Sequence, residues 1–213
     1  MISSNKIQEI ISIVKPYTML SNERIINNIL SVQEIVQNNI EGDIIECGVW
    51  KGGSVMAMIL ALKELNTTRQ IHLFDTFAGM TPPSEYDKDF RGAKAEDILQ
   101  NPFMKCISHL DEVMHNLDKI GCDLTNIKFV VGDILHNKFI PEKISLLRLD
   151  TDWYESTKAE LEMFYPNVVH GGIVIIDDYG YWQGSKKAVD EFTENKNIEL
   201  IKIDDTGVYF VKN

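Results

Sequence analysis

Short apolar runs of strand length alternate with stretches of helical period along most of the chain, and that alternation leaves few folds open. Asp43-Ile44-Ile45-Glu46-Cys47 is followed by a helical pattern from Ser54 to Leu65, then by Ile71-His72-Leu73-Phe74. Ile127–Val131, Ser145–Leu149 and Gly172–Ile176 are further strand-length runs, with helical segments near Asp111–Ile120, Ser156–Tyr165 and Gly184–Glu194. Strand, helix, strand in series predicts an α/β fold in which a parallel sheet is wrapped on both faces by helices. Ahead of the series, Ser21 caps a helix whose Ile25, Ile26, Ile29, Leu30, Val32, Ile35 and Val36 share one broad face, ending near Asn38-Asn39.

The ending differs. Ile198–Ile203 and Val208–Val211 are joined only by Asp204-Asp205-Thr206-Gly207, too short a link for a crossover helix, so these two strands form an antiparallel hairpin. A chain of 213 residues is expected to be one domain, with 1–42 as an N-terminal helical segment. One connection breaks the rhythm: Thr76 to Asn101 is long and carries Pro82, Pro83, Asp87, Asp89, Arg91 and Gly92. It follows the second strand at its carboxyl end, where open α/β sheets bind ligands, and 76–101 is expected to be an active-site lid.

Composition narrows the function classes. A net charge of −11 argues against a nucleic-acid partner, because phosphate rewards basic surfaces. No apolar run is long enough for a bilayer, and Met1–Lys6 does not start a secretory signal, so a cytoplasmic protein is expected. Cys47, Cys106 and Cys122 lack the spacing of a zinc or redox site and read as free thiols. The histidines show no metal spacing either: His72 lies in a strand, His109 and His115 in a helical stretch, His136 in a loop and His170 in the turn before Gly171-Gly172.

The chemistry concentrates at strand ends. The turn Glu46-Cys47-Gly48-Val49-Trp50-Lys51-Gly52-Gly53-Ser54 has glycines that let a ligand approach the backbone, but it is not G-x-G-x-x-G. A carboxylate at Glu46 disfavours a phosphate and favours cationic groups, such as the ammonium and sulfonium of S-adenosylmethionine. Asp75 closes the second strand where an acidic side chain can accept ribose hydroxyls, a feature common to NAD and S-adenosylmethionine. Asp133, after the third strand, is placed to accept the exocyclic amine of adenine.

Two consecutive strands end in paired carboxylates: Asp150-Thr151-Asp152 and Asp177-Asp178. Helix caps and turn acids explain each aspartate singly. Together, Asp150, Asp177 and Asp178 make a hard oxygen set suited to Mg²⁺, Mn²⁺ or Ca²⁺. Trp153, Tyr154, Tyr179, Tyr181 and Trp182 flank the cluster and are candidates for stacking against a sugar ring.

Leu149-Asp150-Thr151-Asp152-Trp153-Tyr154-Glu155-Ser156-Thr157, then Tyr165-Pro166, Gly171-Gly172 and Ile176-Asp177-Asp178-Tyr179-Gly180, resembles the macrocin O-methyltransferase family. So do Tyr17-Thr18-Met19, Arg24, the Glu46–Gly53 turn and Asp75-Thr76-Phe77-Ala78-Gly79-Met80-Thr81-Pro82-Pro83. The resemblance implies a Rossmann-like methyltransferase sheet of seven strands, S-adenosylmethionine as methyl donor, Mg²⁺ (or Mn²⁺), and a sugar hydroxyl on a small-molecule acceptor. It implies metal ligation by Asp150, Asp177 and Asp178, and Asp152 as general base. A cofactor pocket of Tyr17, Thr18, Met19, Glu46, Gly48, Gly52, Ser54, Asp75, Thr76, Asp133 and Asp150 is expected. An exposed apolar face on the helix after Ser21, with the resemblance, suggests a homodimer. The chain is shorter than many relatives and its 84–101 segment differs in composition, which leaves the acceptor open.

Other readings make distinct demands. A nucleotide-dependent oxidoreductase needs a phosphate-binding glycine motif and a tail without the hairpin. A non-catalytic nucleoside-binding module has no use for four strand-end aspartates. An amine or phosphorus-linked oxygen as acceptor stays within the same machinery, and a metal requirement favours oxygen.

Overall fold

The computed structural model describes residues 1–213. Helices α1 (Ser4–Val14) and α2 (Asn22–Gln37) precede β1 (Asp43–Cys47), α3 (Gly53–Glu64) and β2 (Ile71–Asp75). Then come the short α4 (Ala95–Ile98), α5 (Leu110–Lys119), β3 (Ile127–Val131), β4 (Ile144–Leu149) and α6 (Tyr154–Phe164). The chain ends with β5 (Val168–Ile176), α7 (Gln183–Thr193), β6 (Ile201–Lys202) and β7 (Val208–Val211). One 7-stranded sheet runs β3-β2-β1-β4-β5-β7-β6, parallel through β5 and antiparallel at β7 and β6. No helix is long and apolar enough to cross a membrane.

Period decides which side each residue serves. Ile44, Leu146 and Ile173 face a core built with α1, α2, α3 and α5, while Ile45, Leu147 and Val174 face a second core under α6 and α7. Ser21 caps α2 by accepting the N–H of Arg24, and the helix closes where Asn39 turns left-handed at φ 53°. The N-terminal helical segment is two helices, because Pro16 has no N–H with which to continue α1.

Three expectations are corrected. On α2, Ile25, Ile29, Val32 and Ile35 are fully buried against the chain's own sheet, so the apolar face invoked for a homodimer is already covered. His170 belongs to β5 and not to a turn. Of Ile198–Ile203 only Ile201 and Lys202 pair with β7, while Ile198 and Leu200 pack against the second core instead.

The 76–101 connection is built structure. Asp87 is buried and its carboxylate accepts the N–H of Tyr154 at 2.8 Å and the N–H and Oγ–H of Ser84. A bridge between Asp89 and Trp182 adds a second anchor, so the segment is fastened to the starts of α6 and α7.

Candidate active site

The strand order reverses between β1 and β4, which opens a crevice at their carboxyl ends. Cys47 is level with Leu149 and Leu149 with Ile176, and the ladder continues as Asp150 N–H to Cys47 O (2.8 Å) and Asp177 N–H to Leu149 O (2.9 Å). Register therefore delivers the glycine turn and both carboxylate turns to one place. Carboxylate oxygens of Asp150, Asp177 and Asp178 lie within 4.8 Å of one another. Asp152 joins them from a left-handed backbone position, φ 69°, with its Oδ1 accepting the indole N–H of Trp182 at 2.6 Å.

Two arginines tie the cluster together. Arg148, in the middle of β4 and fully buried, donates to Glu46 (2.9 Å) and Asp150 (2.8 Å) through Nη1 and to Asp177 (2.5 Å) through Nη2. Burial works against its charge, but Asp150, Asp177 and Glu46 more than offset this and its pKa is raised. Arg24 holds the other oxygen of Asp177 and reaches Asp204 at 3.0 Å. Asp178 has no hydrogen-bonding or ionic partner for its side chain. Burial lifts Asp150 and Asp178 well above the usual carboxylate range; Arg148 opposes this at Asp150, whereas the charges of Asp152, Asp150 and Asp177 add to it at Asp178. Asp152 is pushed up to about 7 by burial, against the Trp182 hydrogen bond.

A cleft of about 1060 Å³ runs from this cluster past the glycine turn to β3. Tyr17, Thr18, Met19, Gly48, Ser54, Asp75, Thr76 and Asp133 line it together with Asp150, Asp152, Asp177 and Asp178. Glu46 and Gly52 are not among the lining residues. Glu46, expected to meet a cationic ligand group, is completely buried behind the turn as the counter-charge of Arg148. Gly52 is the left-handed N-cap of α3. The glycines admit protein as well as ligand: a Cβ on Gly48 would lie 1.9 Å from the Asp150 carbonyl oxygen, and one on Gly53 2.5 Å from that of Tyr17.

Asp75 lines the cleft, yet its oxygens already accept the N–H groups of Val49 (2.6 Å), Trp50 (3.1 Å) and Phe77 (2.8 Å). It fastens the glycine turn to the end of β2. Asp133 uses one oxygen on the Leu135 N–H and keeps the other for a ligand. The flanking aromatics do not line the cleft: Trp153 and Trp182 are buried with their indole N–H groups committed to Thr81 and Asp152, Tyr154 bonds Glu191, and Tyr179 bonds Asp190. Cys106, unremarked in the sequence, lines the cleft; burial and then Asp152, Asp150 and Asp178 raise its thiol to about 12, so it stays protonated. Arg148 was also missed, although a charge inside an apolar strand was the signal.

Residues 13–212, nearly the whole α/β unit with its cleft, match the family described as TylF, macrocin-O-methyltransferase. The chain belongs to this family. It is 33% identical over 201 residues to demethyldecarbamoylnovobiocin O-methyltransferase of Streptomyces niveus, covering 91% of this chain and 75% of that protein. It is 29% identical over 201 residues to mycinamicin III 3''-O-methyltransferase of Micromonospora griseorubida, covering 91% and 78%. Among solved structures, the O-methyltransferase NovP superposes with a TM-score of 0.81 at 29% identity, over 92% of this chain and 82% of the other. Calicheamicin methyltransferase CalS11, at 20% identity and a TM-score of 0.65, shows the same fold over 98% of this chain and 91% of its own. As a macrocin-O-methyltransferase family member, the chain is an S-adenosylmethionine-dependent O-methyltransferase.

Proposed function

We propose that this enzyme methylates a hydroxyl of a sugar or glycosylated small molecule, with Mg²⁺ or Mn²⁺ held by Asp150, Asp177 and Asp178 and with Asp152 as the base. The observation that carries the reading is the convergence of these four aspartates in the same cleft as the glycine turn. Relatives named for novobiocin, tetracenomycin-rhamnoside and mycinamicin methylation support the acceptor class.

The residues fit a hard divalent cation. Three carboxylates supply oxygen donors from two adjacent strand ends, and Asp178 is left without a counter-charge of its own. Asp177 already serves two guanidiniums, so it has lone pairs to share only because each carboxylate oxygen carries two. When bound, the cation polarises the acceptor hydroxyl, and the sulfonium of S-adenosylmethionine makes the methyl group electrophilic with a neutral thioether to leave.

The chain's own work is alignment and proton removal. Asp152, raised to about 7, takes the hydroxyl proton as the acceptor oxygen attacks, and its value suits a base at neutral pH. Trp182 fixes which oxygen of Asp152 remains free. Asp133 and the Tyr17–Met19 loop bound the far end of the cleft, where the nucleoside is held. The 76–101 segment, braced by Asp87, walls the acceptor side and excludes water.

Thermal unfolding in S-adenosylmethionine, S-adenosylhomocysteine or NAD, each with Mg²⁺ or with chelator, tests the reading. A ligand at about 100 times its Kd adds roughly 2.7 kcal/mol to the native state. Stabilisation by the first two, increased by Mg²⁺, is expected; indifference to Mg²⁺ at every concentration sinks the metal assignment.

A further inference from the structure

The C-terminal hairpin turn reaches the site without lining it. Asp204, between β6 and β7, accepts the N–H groups of Thr206 (2.9 Å) and Gly207 (2.7 Å) through Oδ1. Its Oδ2 accepts from two places at once, the Oγ–H of Ser21 at 2.6 Å and the Nε–H of Arg24 at 3.0 Å. Ser21 caps α2 and directly follows the cleft-lining loop Tyr17–Leu20. Arg24 extends from the same helical turn to Asp177. From the other side, the N–H of Gly180, just past the Asp177-Asp178 pair, bonds the carbonyl of Thr206 at 2.8 Å. One carboxylate thus joins the loop on the nucleoside side to the turn on the metal side.

The two arms differ in freedom. Arg148 is locked in the middle of β4, so the adjustable hold on Asp177 is Arg24. The Tyr17–Leu20 loop has few anchors of its own, chiefly Lys15 Nζ–H to Leu20 O at 2.7 Å, and Met19 on it is 64% exposed. Its position is set by what Ser21 is tied to. Arg24 and Asp204 are each 17% exposed at the side chain, so their pairing is shielded from the screening that weakens surface ion pairs.

We propose that Asp204, through Ser21 and Arg24, couples the cofactor loop to the orientation of Asp177, so that cofactor and divalent cation bind cooperatively. A ligand that settles the Tyr17–Leu20 loop fixes Ser21; Asp204 then holds Arg24, and Arg24 holds Asp177 in its ligating direction. Asp204, Ser21 and Arg24 are positioning residues, since none of them touches the reacting atoms. The inference rests on the metal reading of the preceding subsection.

The test is Mn²⁺ affinity by calorimetry on the full chain, with and without saturating S-adenosylhomocysteine, and needs no turnover. In the wild type the cofactor product is expected to tighten Mn²⁺ binding on the order of tenfold, inside the usual range of coupling between sites. Ser21→Ala cuts the loop arm, Arg24→Lys cuts the ligand arm and Asp204→Asn weakens both; in each the ratio is expected to fall toward one. Lys202→Ala, which removes only a pair with exposed Asp205 in the same turn, keeps the wild-type ratio. Should Asp204→Asn fold poorly, Ser21→Ala and Arg24→Lys decide the matter alone. Mn²⁺ binding with no effect of S-adenosylhomocysteine, or variants that retain the full ratio, overturns the coupling while leaving the metal reading intact. Absence of Mn²⁺ binding in either state overturns both.

Discussion

Asp75 and the Asp177-Asp178 pair occupy equivalent positions, each at the carboxyl end of a parallel strand and each facing the same cleft, but they are neutralised in different currencies. Asp75 is satisfied by backbone N–H dipoles of the neighbouring turn, from Val49, Trp50 and Phe77. Asp177 is satisfied by two guanidiniums, and Asp178 by nothing. An acid absorbed by its own backbone is part of the scaffold. A crowd of acids held by permanent cations, with one member left over, is poised for a further cation and for proton transfer.

The comparison breaks most visibly at Arg148. Arg148→Ala leaves Glu46, Asp150 and Asp177 without their shared partner, and a loss of about 3–5 kcal/mol in urea unfolding is expected, with activity lost alongside. A loss below about 1 kcal/mol would mean that the carboxylates simply take up protons at little cost.

Substituting the two acids in parallel sharpens the contrast. Asp178→Asn is expected to abolish Mg²⁺ stabilisation and cut kcat by more than about a hundredfold, while the unfolding midpoint holds or rises, because an unpaired acid has been removed. Asp75→Asn is expected to cost about 1–3 kcal/mol of stability, since an amide group cannot accept three N–H bonds as the carboxylate does. Equal stability losses in the two variants would erase the distinction.

Two smaller effects concern protonation. Asp152 has its pKa raised to about 7, so kcat/KM is expected to climb as pH rises through that value; Trp182→Phe removes the hydrogen bond that lowers it and should move the rising limb to higher pH. An unmoved limb assigns it to another group. Glu160, wholly buried beneath Thr151 with one oxygen unpartnered, is raised to about 8, first by burial. Its raised value means that the folded state holds a proton the unfolded chain releases. The stability from that proton is full below the ordinary value of 4.5 and is lost as pH rises through about 8. Glu160→Gln is expected to melt increasingly above the wild type across that window, and a constant difference would show that Glu160 does not titrate there.

Much of this frame was legible in the chain. The β/α alternation and the four residues Asp204–Gly207 dictate a parallel sheet with a hairpin edge, because strand and helix periods and turn length are local properties. The cluster of Asp150, Asp152, Asp177 and Asp178 was equally legible, because strand-end residues of adjacent parallel strands converge in any such sheet. Burial of the α2 face, the aromatic side chains committed elsewhere and the folded 76–101 segment were not, since each depends on what lies opposite in space.

The sequence by itself determined the sheet, the glycine turn and which acids stand at the strand ends. Only the tertiary structure decided what each acid does. Glu46 becomes a counter-charge because register sets it level with Arg148, 102 residues away. Asp75 becomes a brace because the glycine turn folds back over β2, and Asp177 becomes a shared ligand because Arg24 arrives from α2, 153 residues earlier. Periodicity states which face a side chain takes. The partner that neutralises a buried charge is chosen by register and packing between distant segments, and no local pattern encodes that choice.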